Sequence, residues 1–302
     1  MPRRRKTPGL HGRCGGKGFA MDINWYPGHM SKTRRLLAED VRRVDAVCEL
    51  LDARIPLSSR NPDIDEIAGD KPRLVLLNRA DQADPAVTAL WRGYFTPSIE
   101  ISAHQPGGVR AVAPAVRALL SDTLAKYAEK GQTGRSLKIM VVGIPNVGKS
   151  TLINSLTGRR TLKAEDRPGV TRATQWARVT QAAGPAIDML DTPGILWPRL
   201  GDRRTGLHLA VTGAIRGEIL DTAGIAAELM ETLKDLYPQN LAARYKIGLE
   251  GSGLDLLVAA ARKRGFLISG GEPDVERMAL TLVSEFRGGK LGRISLEKPP
   301  CQ

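Results

Sequence analysis

The stretch Leu137-Lys-Ile-Met-Val-Val142 followed by Gly143-Ile-Pro-Asn-Val-Gly148-Lys149-Ser150 decides the fold. Its first part is a short apolar run with the composition of a buried strand. Its second part matches G-x-x-x-x-G-K-[ST], lies directly after that strand and opens a helix, which is the setting the motif requires. Glycines at these positions let backbone N–H groups close around phosphate oxygens, and the helix N-terminus adds a favourable dipole. Lys149 is then expected to reach the β and γ phosphates and Ser150 to hold magnesium, with Asn146, Val147, Gly148 and Thr151 completing the cradle. A glycine loop without function would not fill every fixed position between a strand and a helix.

Working outward, Asp191-Thr-Pro-Gly194 closes another strand, 48 residues after Gly143. An Asp at that place can hold the magnesium through water, and the Gly194 amide can meet the γ phosphate. Between the two motifs, Arg167-Pro-Gly-Val-Thr171-Arg172 reads as a first switch loop, with Thr171 placed to complete the magnesium shell. Upstream, Asn78-Arg79-Ala80-Asp81 comes directly after the strand-like run Leu74 to Leu77. A carboxylate at Asp81 accepts from guanine N1–H and the 2-amino group, donors that adenine lacks, so it separates the two bases sharply. Asn78 would contact the base and tie loops together, and Ser102-Ala103 can offer a backbone amide to guanine O6. Arg79 stands where such a box usually has lysine. Its stem can lie over the base in the same way, but its planar guanidinium is bulkier.

The order of these boxes is unusual. In ordinary GTP-binding switches the phosphate loop comes first and the base-reading boxes last. Here residues 78–81 and 102–103 precede the loop at 143–150, the switch near Thr171 and the Asp191 box. A parallel sheet tolerates this if old termini are joined and a new break is made elsewhere. Gly131-Gln-Thr-Gly134 supplies the join. The new break falls just after Gly194, so the element that senses the γ phosphate runs straight into the last third of the chain.

That last third looks helical. Earlier in the chain the remaining strand signals are Val47 to Leu51, Ile99 to Ser102, Gln175 to Thr180 and Ala186 to Leu190, with a basic helix from Ser31 to Arg43 and a helical stretch over Val109 to Glu129. Beyond Gly206 four helices are predicted, near 206–217, 222–236, 252–264 and 273–286, the third with a Ser252/Asp255 capping box. The expected architecture is α/β, a mostly parallel sheet covered by helices, with a smaller all-helical domain after it. The expected boundaries are 1–21 for a basic tail, 22–204 for the nucleotide domain and 205–302 for the helical one.

Bulk properties narrow the partner. The chain has 302 residues, 42% of them hydrophobic, and no run approaches a membrane span. Formal charge is +13, with six of the cations in the first twenty residues and no acid among them. Removing that segment leaves +7, so the body itself is basic, as expected of a protein that meets a polyanion. Arg244 with Lys246, Arg262-Lys-Arg264, and Arg287 with Lys290 and Arg293 are the clusters expected to meet structured RNA, by shape and backbone rather than by sequence. Cys14, Cys48 and Cys301 lack metal or disulfide spacing, which fits a reducing cytoplasm.

Several strings are specific enough to carry a family resemblance: Asn24-Trp-Tyr-Pro-Gly-His-Met30, Leu51-Asp-Ala-Arg-Ile-Pro56 with Ser59-Arg-Asn-Pro62, Asp166-Arg-Pro-Gly-Val-Thr171, Leu190-Asp-Thr-Pro-Gly-Ile-Leu-Trp-Pro198, Leu209-Ala-Val-Thr-Gly-Ala-Ile215 and Ser269-Gly-Gly271. From about residue 22 to 298 the chain resembles the circularly permuted ribosome biogenesis GTPase A family. The resemblance implies a GTPase that binds the maturing large ribosomal subunit and its rRNA and leaves on hydrolysis, and the chain is expected to be a monomer that takes GTP and GDP. It also implies a potassium ion beside the phosphates, with Asn146 as the matching ligand, and a catalytic role for His29. Ile195 occupies the position where many GTPases have a water-orienting glutamine, so His29, Lys149 and Gly194 are the residues expected to carry catalysis. Two rivals stand beside this reading: a P-loop ATPase or nucleotide kinase, against which Asp81 argues, and an RNA-binding module that keeps nucleotide as a structural ligand, which Ile195 leaves open.

Overall fold

The computed structural model describes residues 29–158, 174–180, 184–197, 202–215 and 221–300, with the backbone alone at 29–32. The tail at 1–21, the segment 22–28, the first-switch loop with Thr171, and residues 216–217 of the helix expected at 206–217 lie outside the described residues.

Among the described residues six strands, β1 (Ala46–Asp52), β2 (Arg73–Asn78), β3 (Ser98–Glu100), β4 (Leu137–Val142), β5 (Gln175–Val179) and β6 (Ile187–Asp191), form one sheet in the order β3-β2-β1-β4-β6-β5. All neighbours are parallel except β5, which runs antiparallel to β6. The registers pair Asp52 with Asn78, Glu49 with Val142, and Val141 with Asp191. The loops after β2, β4 and β6 therefore leave the same carboxyl edge side by side, where open α/β sheets bind ligands.

The strands are apolar on both faces because helices cover both. Val47, Met140, Val142 and Leu190 share a cluster with Leu37 of α1 (His29–Asp40) and Ile64 of α2 (Asp63–Ala68). Leu51, Val75 and Leu77 pack with Val87 and Trp91 of α3 (Pro85–Tyr94). On the opposite face, Cys48, Leu50, Leu76, Ile139 and Val141 meet Val112 and Val116 of α4 (Val112–Leu119) and Leu152 of α6 (Lys149–Thr157). The helix expected over Val109 to Glu129 is two. It turns at Leu120, so that α4 keeps its buried face on the sheet while α5 (Ser121–Glu129) rests only Leu124 and Tyr127, both partly buried, against the core.

Among the described residues five further helices follow: α7 (Arg203–Thr212), α8 (Thr222–Leu236), α9 (Pro238–Tyr245), α10 (Gly253–Lys263) and α11 (Val275–Arg287). Asp202 caps α7 by accepting from Thr205 N at 2.6 Å, and Gly213 ends it. The helix near 206–217 thus starts earlier and stops sooner than its apolar pattern indicates. The Ser252/Asp255 capping box of α10 is present in both directions. α9 bears no counterpart among the helices predicted from periodicity. Between the helical bundle and the sheet the core has no seam, since Met230, Leu257 and Leu282 belong to the same buried cluster as Leu50 and Val141. Among the described residues no helix is long and apolar enough to cross a membrane.

After α11 the chain does not stay on the bundle. Residues 288–297 run back as a strap along the α/β part, with Ile294 N donating to Gln82 O at 2.8 Å and Leu296 N to Arg54 O at 2.8 Å. Leu291, Ile294 and Leu296 are buried beneath it.

Candidate nucleotide site

The phosphate loop leaves β4 at Gly143 and enters α6 at Lys149. At Gly148 φ is +107°, and a Cβ there would stand 2.6 Å from the Asn78 amide nitrogen, so glycine is required twice over. The Lys149 ammonium donates to Gly143 O at 3.1 Å and Ile144 O at 2.9 Å, and the residue is only 6% exposed. Burial draws its pKa down to about 8, with the Asp191 carboxylate pulling the other way. The cation is held among loop carbonyls, at a cost that incoming phosphate oxygens would relieve. Val147 lies in the loop and Thr151 is in the first turn of α6.

At the end of β6, the Ser150 hydroxyl donates to Asp191 Oδ2 at 2.7 Å, and Asp191 is 1% exposed. A hydroxyl and a buried carboxylate are the hard oxygen donors that magnesium takes, so these residues fit the ion. Thr192 is tied to Val141 O at 2.7 Å, which fixes the turn after it. A Cβ on Gly194 would come within 2.6 Å of Pro145 N, so only glycine lets this turn lie against the phosphate loop. Ile195 and Leu196 both point into the core, at 4% and 3% exposure, and neither can orient water.

The base-reading boxes converge on the same edge. Asn78 joins them, its Nδ2 donating to Val147 O at 2.8 Å and its Oδ1 accepting from Ala103 N at 2.9 Å. The Ala103 amide, expected to serve guanine O6, is thus used to orient Asn78. Asp81 N donates to the Ser102 hydroxyl at 3.2 Å. Asp81 Oδ2 lies 3.0 Å from His104 Nε2, while its Oδ1 is buried with no hydrogen-bond partner among the described residues. An orphaned buried carboxylate oxygen is what a guanine N–H donor would satisfy.

Arg79 adopts φ +61° and sends Nη2 to Asn146 O at 3.2 Å, so the arginine bridges base box and phosphate loop. Its Nη1 reaches Arg287 O at 3.4 Å, at the end of α11. Asn146 Nδ2 donates to Gly213 O at 2.8 Å, which fixes the amide, and its Oδ1 is an oxygen of the kind an alkali cation takes. His29 is the first residue of α1, and its side chain lies outside the described residues.

Three participants were not singled out from the sequence for their local role. His104 comes directly after the Ser-Ala box, and that adjacency was its signal. Asp52 and Arg54 form a fully buried ion pair at 2.7 Å, and Arg54 Nη1 donates to Phe286 O at 3.0 Å. Burial alone would raise Asp52, yet the Arg54 and Arg79 guanidiniums hold its carboxyl below the usual range. The arginines of the basic clusters also bind within the chain. Arg244 and Arg264 both bind Glu285, Arg287 donates to Ala210 O and Val211 O, and Arg293 donates to Ala80 O and Ala83 O. Arg244, Arg287 and Arg293 nevertheless stay exposed, as do Lys246, Arg262, Lys263 and Lys290, while Arg264 is half-buried.

Comparison with known proteins finds GTPases. Residues 138–258 match a family model described as 50S ribosome-binding GTPase. The chain is 44% identical to ribosome biogenesis GTPase A of Bacillus cereus over 284 residues, covering 92% of this chain and 95% of that protein. It is 33% identical to the Thermotoga maritima protein of the same name, covering 92% and 95%. It is also 33% identical to mitochondrial ribosome-associated GTPase 1 of Mus musculus, covering 92% and 91%. Among solved structures it resembles GDP-bound YlqF from T. maritima with a TM-score of 0.63 at 29% identity, covering 88% of this chain and all of that one. The GNP-bound form of that protein gives 0.62 at 28% identity, covering 89% and 99%.

Proposed function

The chain belongs to the ribosome biogenesis GTPase A family, and from that premise we propose that this GTPase binds the maturing large ribosomal subunit and is released when it hydrolyses GTP. The observation that carries the reading is Asn78, one amide that couples the phosphate loop to the base loop across the sheet edge. Ser150, Asp191 and Thr171 would hold magnesium, which when bound would neutralise charge on the β and γ phosphates. Asn146 would take potassium through its Oδ1. Asp81 and Ser102 would form the guanine pocket, with Arg79 across the base. Lys149 would exchange its loop carbonyls for phosphate oxygens, and the Gly194 amide would meet the γ phosphate.

Ile195 and Leu196 are turned into the core, so the attacking water needs another group. His29, at the start of α1, is the candidate, since an imidazole can orient or deprotonate water near neutral pH. Docking on the subunit would bring His29 to the site. The cations Lys246, Arg262, Lys263 and Lys290 would face rRNA, and the protein would act as a cytoplasmic monomer.

The test is GTP hydrolysis in potassium buffer with and without purified large subunits, against ATP. Stimulation with GTP alone, lost in His29→Ala while GTP binding is kept, is the expected result. Unstimulated turnover, or stimulation that His29→Ala leaves intact, would overturn the catalytic part of this reading.

A further inference from the structure

The loop that carries Asp81 is gripped on its outer side by a segment more than two hundred residues away. Arg293 donates from Nε to Ala83 O at 2.9 Å and from Nη2 to Ala80 O at 2.9 Å, so one guanidinium spans the carbonyls on either side of Asp81. Ile294 N donates to Gln82 O at 2.8 Å, and Asp84 N donates to the Ser295 hydroxyl at 3.1 Å. A Cβ on Gly289 would meet the Gln82 side chain at 3.0 Å, so the strap lies close against the loop there too. The strap's far end is anchored independently. Glu297 accepts from Leu57 N at 2.8 Å and from the Ser58 hydroxyl, and sits 3.0 Å from His208 Nδ1. Trp91 Nε1 donates to Glu297 O at 3.1 Å.

On its inner side Asp81 itself is held by Ser102 and His104, and its Oδ1 has no partner among the described residues. Base discrimination by a carboxylate depends on holding it within a fraction of an ångström of the two donors it reads. The inner contacts fix the Ala80 and Asp81 amides, the former on Ile101 O at 3.1 Å, and one carboxylate oxygen. The backbone on both flanks is fixed from outside, by the strap.

We propose that residues 289–297 form a brace for the guanine-reading loop, with Arg293 as a positioning residue that sets how well Asp81 tells guanine from other bases. The proposal rests on the reading of Asp81 as the base-selecting carboxylate. It makes base occupancy and seating of the strap reciprocal, since each favours the other by the same factor. α11 and the strap are continuous in sequence, so the helical bundle has a route to the nucleotide through the base as well as through the Asp191–Gly194 turn.

The experiment measures GDP and IDP affinities of the full chain, because IDP lacks only the 2-amino group. With Asp81 well held, GDP is expected to bind roughly 10- to 100-fold more tightly than IDP. Arg293→Ala is expected to weaken GDP several-fold and to narrow the GDP/IDP ratio, while Arg293→Lys, which can reach one carbonyl, recovers part of it. An unchanged ratio in Arg293→Ala, whether both affinities hold or both fall together, overturns the proposal. Asp81→Asn separates the two ideas: if it keeps the GDP/IDP ratio, the base reading itself fails, and if it collapses the ratio while Arg293→Ala does not, only the brace fails. Should Arg293→Ala not fold, hydrogen exchange of the unaltered chain decides. GDP should slow the Ile294 and Leu296 amides beyond what inorganic pyrophosphate does, and equal protection by the two ligands would overturn the brace.

Discussion

Lys149 carries a signature that can be read in solution. In the free chain burial holds its pKa at about 8, and phosphate oxygens in place of loop carbonyls would raise it. Above pH 8 the free chain therefore lacks a proton that the complex holds. GTP binding should take up a proton there and weaken as pH rises further, whereas near pH 6 no uptake is expected. Calorimetry in two buffers of different ionisation enthalpy checks this, and Lys149→Met should abolish the difference. Gly194 predicts a different split. With Pro145 N 2.6 Å from where a Cβ would sit, Gly194→Ala must displace the turn from the phosphate loop. Single-turnover GTP cleavage should fall by roughly 10²-fold, the order expected when one donor to the reacting phosphate is lost. GDP affinity should change far less, because the base contacts are remote from the turn.

At the scale of elements, Glu285 of α11 gathers Arg244 of α9, Arg264 beyond α10 and the Tyr245 hydroxyl. Burial works to raise its pKa, but those donors hold it down at about 2. A depressed carboxylate stabilises the fold above its unfolded value near 4.5 and loses that contribution as pH falls toward 2. The bundle should weaken across that window, and Glu285→Gln should flatten the dependence while lowering stability by about 3 kcal/mol at pH 7. Denaturant titrations at pH 7 and pH 3.5 measure both effects. Ser252→Ala, which removes one half of the α10 capping box, should cost about 1 kcal/mol, a drop of roughly 2–4 °C. That box was legible because Ser and Asp stand three apart before an apolar run. The phosphate loop, Asp191 and the strands were legible for the same reason, a local spacing with a local cause. α3 and α9 each open on a proline at the first helical position, Pro85 and Pro238, and a breaker at the start masks a short helix whose apolar face is narrow. The contacts of Arg287 and Arg293 were not legible for a deeper reason. Both are exposed and both reach distant backbone carbonyls, and nothing in their sequence neighbours names those carbonyls.

For the whole molecule, the seamless core and the strap predict one cooperative unfolding event. Calorimetry should show a single transition whose van't Hoff and calorimetric enthalpies agree, and two resolved transitions would mean that bundle and sheet unfold separately. Ending the chain at Gly288 strips Leu291, Ile294 and Leu296 from their sites, each worth about 1.5–3 kcal/mol of burial, and should lower the transition by roughly 10 °C or more. The strap also sets a clock. Arg293 lies 213 residues after the Ala80 carbonyl it grips, and a ribosome adding about 5–20 residues per second makes them roughly 10–40 s apart. Throughout that interval the nascent base loop has no outer support, so on the brace reading a newly made copy gains its full discrimination only after residue 297 has been added.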